Sequence, residues 1–178
     1  MGVTVADLDV VLATVRERIA RHQRESIGEQ DTKAALIVPV LRSLGWDVED
    51  LEDVKLEYRR RPADNPVDYA LFLLRSPRLF IEAKSLGAHL DDGKWANQIL
   101  AYAMAAGVEW VALTDGNEWR IYNSHATVPV EQKLFRVVRV AEPDAQWRHN
   151  PVHLDLGRHL SISVSPAGHS RPIMVTGP

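Results

Sequence analysis

Apolar positions recur along this chain first at helical spacing, then in alternation, then at helical spacing again. Leu8, Val11 or Leu12, Val15 and Ile19 predict an amphipathic helix over residues 5 to 24, with Thr4 and Asp7 spaced like a capping box at its start. A second helix is expected from Glu29, with Leu36, Ile37, Val40, Leu41 and Leu44 as its buried stripe and Gly45 as its stop. Pro39 predicts a bend or a late first turn in it. Trp46 to Asp53 reads as a polar connection, and Val54 to Arg60 alternates like a strand. Pro66 to Lys84 reads as two apolar strands with a turn at Arg75 to Arg78. From Leu90 to Ala106 the helical pattern puts Trp95, Ile99, Tyr102 and Ala106 on one face, with Gln98 leaning inward among them. Two short strands over 109 to 114 and 119 to 123 flank the turn signal Asp115-Gly116-Asn117, and Leu134 to Val140 predicts a last strand. This order predicts an α/β fold, a central mixed sheet flanked by helices.

Composition narrows the class without naming a task. At 178 residues the chain has the length of one domain, expected over residues 1 to 142 and followed by an extension over 143 to 178 in which prolines and glycines break the pattern. The net charge of -3 argues neither for nor against nucleic acid, because binding depends on where charge lies. The absence of cysteine excludes disulfides and thiolate metal sites and fits a reducing interior. No apolar run approaches the roughly 20 residues that span a bilayer, and Met-Gly-Val-Thr-Val-Ala-Asp lacks a basic segment followed by an apolar one. A cytoplasmic protein with no membrane partner is therefore expected.

The chemistry concentrates in the hairpin. Glu82 and Lys84 are two apart in a strand and so share a face, while Ile81 and Ala83 take the other. Charged groups in a run as apolar as Leu-Phe-Ile each cost several kcal/mol to desolvate unless charge compensates them. Asp68, on the partner strand, adds a second carboxylate. Two carboxylates brought together repel, which makes sense if a divalent cation belongs between them; the competing account is a structural ion cluster of Asp68, Glu82 and Lys84.

Other features have a plainer account beside a functional one. Arg16, Arg18, Arg21, His22 and Arg24 suit a solvated helix C-terminus as well as a phosphate patch. Glu29 fits a first-turn acid paired with Lys33 four residues on. Arg59-Arg60-Arg61 reads as a solvated loop, which beside a polyanion would be the place to look for phosphate contacts. Gly87 to Lys94 fails as a phosphate loop, because five residues separate its glycines and Trp95 follows the lysine. His149 and His153 stand four apart, but Pro151 forbids an ordinary helix between them.

Glu29-Gln30-Asp31-Thr32, Leu44-Gly45-Trp46, Val67-Asp68-Tyr69-Ala70-Leu71, Ile81-Glu82-Ala83-Lys84, Gln98 with Tyr102-Ala103, and Leu113-Thr114-Asp115-Gly116 with Trp119 and Tyr122 together resemble one known family. It is the N-terminal nuclease domain of type I restriction enzyme R subunits, found also in type IV-like restriction proteins, within the PD-(D/E)xK nuclease superfamily. The resemblance covers roughly residues 25 to 140. It implies a restriction-endonuclease-like core and Mg²⁺-dependent DNA endonuclease activity in a restriction or defence system, with Mn²⁺ as a substitute ion. It implies that Asp68 and Glu82 bind Mg²⁺, that Glu29 is the accessory acid, that Lys84 completes the catalytic triad and that Gln98 supports it. The R subunit carries a helicase motor after this domain, for which 178 residues leave no room, so tracking and site recognition are expected either to come from elsewhere, a helicase or specificity partner, or to be absent. One active site per chain makes a homodimer the expected way to cut two strands. The alternative is a non-catalytic module that keeps the fold and docks on DNA or on a partner.

Overall fold

Strands whose two faces are both buried organise the molecule. The computed structural model describes residues 5 to 25 and 27 to 142. Thr4 of the predicted capping box and the whole extension 143 to 178, with Arg148, His149, His153, Arg158 and His159, lie outside the described residues. The architecture is mixed α/β, as expected: a six-stranded mixed sheet with helices against it. Strands β1 (Val54–Tyr58), β2 (Val67–Leu73), β3 (Ser76–Ala83), β4 (Trp110–Thr114), β5 (Glu118–Asn123) and β6 (Leu134–Arg139) lie side by side in chain order. All neighbours are antiparallel except β3 and β4, which run parallel in the register Ile81↔Ala112. A parallel pair needs a crossover, and helix α3 (Gly93–Ala106) provides it.

Alternation along the strands assigns each face its layer. Tyr69, Leu71, Leu79, Ile81, Ala83 and Ala112 pack under helices α1 (Val5–His22) and α2 (residues 29 to 43), whose Leu12, Val15, Ile19, Leu36, Ile37, Val40 and Leu41 complete that core. Ala70, Phe72, Phe80, Val111 and Leu113 face the other way, onto Ala96, Ile99, Leu100 and Ala103 of α3. Burying a side chain of Leu, Ile or Phe size contributes about 1.5–3 kcal/mol, so these two apolar layers dominate the stability of the sandwich. Arg16 and Arg18 help tie α1 down, donating to the carbonyls of Val140 at 2.6 Å and Ala35 at 2.7 Å. Among the described residues no helix is long and apolar enough to cross a membrane.

The helix α2 is one helical run with a change of pitch: α over Glu29–Thr32, π over Lys33–Ile37, α again over Val38–Ser43. Pro39 sits at the start of the third piece, where its missing N–H is tolerated, so the disturbance expected at Pro39 takes the form of a wider turn just before it. Three other expectations need correction. The hairpin turn is at Leu74 and Arg75, both with left-handed backbone (φ 51° and 62°), and Ser76-Pro77 already belong to β3, opposite a bulge between Leu71 and Phe72. Trp46 is no part of a polar connection but is buried in the core under α1 and α2. Helix α3 starts at Gly93, capped by the Asp92 side chain accepting from the Lys94 N–H at 3.1 Å, and its buried face is the alanine-rich one.

Candidate functional site

Where β2 and β3 stop pairing, side chains take over the backbone's hydrogen bonds. Their last paired residues toward this end are Tyr69 and Ile81, and one step further Asp68 stands across from Glu82. On the other side of β2, the pairing Leu56↔Tyr69 and Tyr58↔Val67 puts Glu57 across from Asp68. Three acids thus lie in a row over three adjacent strands, an arrangement that repels itself unless cations intervene. Glu57 also carries a left-handed backbone (φ 48°), costly for a residue with a side chain.

Lys33 answers the first two acids. Its Nζ, on a side chain only 10% exposed, bonds Asp68 Oδ1, reaches Glu29 Oε1 at 2.9 Å and lies 4.0 Å from Glu57 Oε1. Burial alone would push the ammonium toward neutrality, but hydrogen bonds and charge from Asp68 and Glu29 outweigh it and raise its pKa well above the usual lysine range. The other carboxylate oxygen of Asp68 accepts the Ala83 N–H at 2.7 Å, closing the open end of the ladder. Burial also pushes the neighbouring Tyr69 phenol up to about 12.

Lys84 answers the third acid. It lies one residue beyond β3 rather than inside it, with its N–H donated to the Thr114 carbonyl at 2.8 Å. Its Nζ bonds Glu82 Oε1 at 2.7 Å and sits 4.4 Å from the centre of the Trp95 ring, an attraction between cation and ring face. Burial raises the Glu82 pKa, the charges of Asp68 and Glu29 add to this, and the Lys84 bond opposes it. Glu82 lines a cleft of about 200 Å³ together with Asp64 and Asn65 of the loop after β1 and Trp95, Gln98 and Tyr102 of α3. Gln98 therefore shares the cleft with Glu82, but as an exposed side chain and not as the inward-leaning amide expected from the helical pattern.

The expected residues thus fall in one neighbourhood: Glu29 with Asp68 through Lys33, Glu82 with Lys84, and Gln98 lining the same cleft as Glu82. The step from crowded acids to a required metal ion is not forced, because each acid already has a lysine. Among the described residues no side chain bridges Asp68 and Glu82, and no three His, Asp or Glu side chains stand ready as a metal-ligand set. Sequence reasoning missed Lys33 as the partner of Asp68, and it missed Glu57. The signal for Lys33 was a lysine on the same stripe as Leu36 and Val40.

The surroundings fix this neighbourhood in place. Thr32 Oγ1 accepts the Leu86 N–H at 3.0 Å, tying α2 to the segment after β3. Buried Asp115 accepts from the N–H groups of Gly87 at 2.9 Å, Asn117 at 3.0 Å and Glu118 at 2.7 Å, holding the β4–β5 turn against the same segment. No protein-family model, curated protein or solved structure matches this chain. The likeness to the R-subunit nuclease domain rests on the quoted residues alone.

Proposed function

We propose that the chain is a Mg²⁺-dependent DNA endonuclease of the PD-(D/E)xK kind, acting in a restriction or other defence system, with Asp68, Glu82 and Lys84 as its working residues, Glu29 as accessory acid and Gln98 as support. The observation that carries the reading is the surplus of acid at the open end of β2 and β3. Glu29, Asp68 and Glu82 bring three negative charges and Lys33 and Lys84 two positive ones, leaving one negative charge before exposed Glu57 is counted. The donor set suits the ion, since Mg²⁺ takes hard carboxylate oxygens and keeps several of its own waters. When bound, Mg²⁺ supplies an activated water and counter-charge for phosphodiester hydrolysis.

The chain's own groups would do the rest. Asp68 and Glu82 would hold the ion, with Glu29 from the start of α2 nearby. Lys84, kept in place by Glu82 and the Trp95 face, carries donors but no acceptor while charged, so it can hold a phosphate oxygen or the attacking water without competing for the metal. Gln98 would orient what enters the cleft beside Glu82. The test is nicking of supercoiled plasmid in Mg²⁺ or Mn²⁺ by the wild type, Glu82→Gln and Lys84→Ala. Loss of nicking in both variants is expected, and equal nicking by all three sinks the proposal.

A second reading is favoured by the internal pairing of the acids with lysines, Glu29 and Asp68 with Lys33 and Glu82 with Lys84: a non-catalytic module that docks on DNA or a partner enzyme. It predicts DNA binding that survives both EDTA and Asp68→Ala, with no cleavage.

A further inference from the structure

Three arginines follow β1, and among the described residues only the middle one has a hydrogen-bond or ion-pair partner for its side chain. Arg60 fastens the loop over residues 59 to 66 to α3: its N–H donates to Tyr102 Oη at 2.6 Å and its Nη1 to the Ala105 carbonyl at 2.8 Å, while its Nε lies 3.9 Å from Asp64. The Arg61 N–H donates to Asp64 Oδ2 at 3.0 Å, which closes the loop on itself. The side chains of Arg59 and Arg61 are exposed and, among the described residues, have no carboxylate partner. The same loop supplies Asp64 and Asn65 to the wall of the cleft that holds Glu82. Two exposed guanidinium groups, without a carboxylate partner among the described residues, are therefore carried by a pinned loop whose later residues wall the cleft that holds Glu82.

We propose that Arg59 and Arg61 receive the phosphodiester backbone of a nucleic-acid strand and hold it over the cleft. A cleft with surplus negative charge repels a polyanion, so a nucleic acid reaches it only if cations at the rim outweigh that repulsion. Guanidinium suits the task, with planar paired donors that match a phosphate and a charge that never titrates away. The proposal rests on the nucleic-acid reading of the cleft but not on cleavage.

The experiment measures anisotropy of short fluorescein-labelled oligonucleotides, single-stranded and duplex, with the full chain in EDTA over a series of salt concentrations. The wild type should bind at least one form. Arg59→Ala/Arg61→Ala should weaken that binding about tenfold or more at low salt, and should lower the slope of log affinity against log salt by about 1.8 for duplex or about 1.4 for single strands, as two lost phosphate contacts require. Arg75→Ala/Arg78→Ala removes the same charge from the far end of the β2–β3 hairpin and should leave the slope near the wild-type value. No binding by the wild type, an unchanged slope in the first double variant, or an equal drop in both overturns the proposal. Binding lost through Arg59 and Arg61 in a chain that never nicks DNA would instead leave this inference standing and remove the endonuclease.

Discussion

Replacing Lys33 by methionine removes the one cation that, among the described residues, joins α2 to the acids of the sheet. The side chain is 10% exposed and so is that of Asp68, whereas Glu29, at 38%, can turn to water. Stranding one partner of a buried ion pair costs about 3–5 kcal/mol, and relief of Glu29 by solvent puts Lys33→Met near the lower end, about 3 kcal/mol. Urea unfolding in EDTA near neutral pH would measure it. Adding Asp68→Asn to Lys33→Met should recover part of the loss, because a neutral amide strands no charge, although it keeps the Ala83 N–H satisfied through its oxygen. If Mg²⁺ belongs here, a hundredfold excess over the wild-type Kd should add about 2.7 kcal/mol to the wild type, and the same Mg²⁺ concentration should stabilise Lys33→Met by more, because the ion meets no rival ammonium there and binds more tightly. A cost below about 1 kcal/mol for Lys33→Met, or a double variant no more stable than the single one, would refute the claim that Lys33 neutralises Asp68.

Gly116→Ala tests the packing of the β4–β5 turn on α2. A methyl there would lie 2.7 Å from Leu36 Cβ and 2.9 Å from its Cδ1, on a backbone with φ of 84°, so strain and overpacking together should cost about 2–4 kcal/mol in urea unfolding, and a cost under about 1 kcal/mol would contradict that contact. Glu118 supplies the pH test. Burial alone would raise its pKa, but hydrogen bonds from Arg120 at 2.5 Å and Arg139 at 2.7 Å lower it below the ordinary 4.5. Its contribution is therefore complete above the unfolded value and is lost as pH falls through the lower folded one. Glu118→Gln should be about 1–2 kcal/mol less stable than the wild type at neutral pH, with the gap closing as the medium is acidified below the folded pKa; a gap independent of pH would contradict the assignment.

Helical stripes and strand alternation were legible wherever local spacing decided the outcome. Leu36, Ile37, Val40 and Leu41 are buried as their spacing predicts, and Ile81 and Ala83 face one layer while Glu82 faces the other way. The pairing of Lys33 with Asp68 was not legible, because the two are 35 residues apart and only the folded sheet brings them together. In α3 the expected face holds in part: Ile99 is buried, and Trp95, Tyr102 and Ala106 pack against the same layer partly buried. The deepest positions beside Ile99 are Ala96, Leu100 and Ala103, because small side chains let the helix approach the sheet, and Gln98 is exposed. The Ser76-Pro77 pair looked like a turn, whereas the true one at Leu74 and Arg75 has none of the glycine or asparagine that usually marks left-handed backbone.

The widened turn over Lys33–Ile37 sets the angular phase of α2. A π turn holds one residue more than an α turn, and each residue of an α-helix advances the azimuth by about 100°. Shortening this segment by one residue would restore uniform pitch and leave Val40 and Leu41 seated in the apolar layer. Everything upstream would swing by about that angle, carrying Glu29 and Lys33 away from Asp68. A single inserted residue thus lets one helix serve two masters, hydrocarbon along its later half and charge along its first.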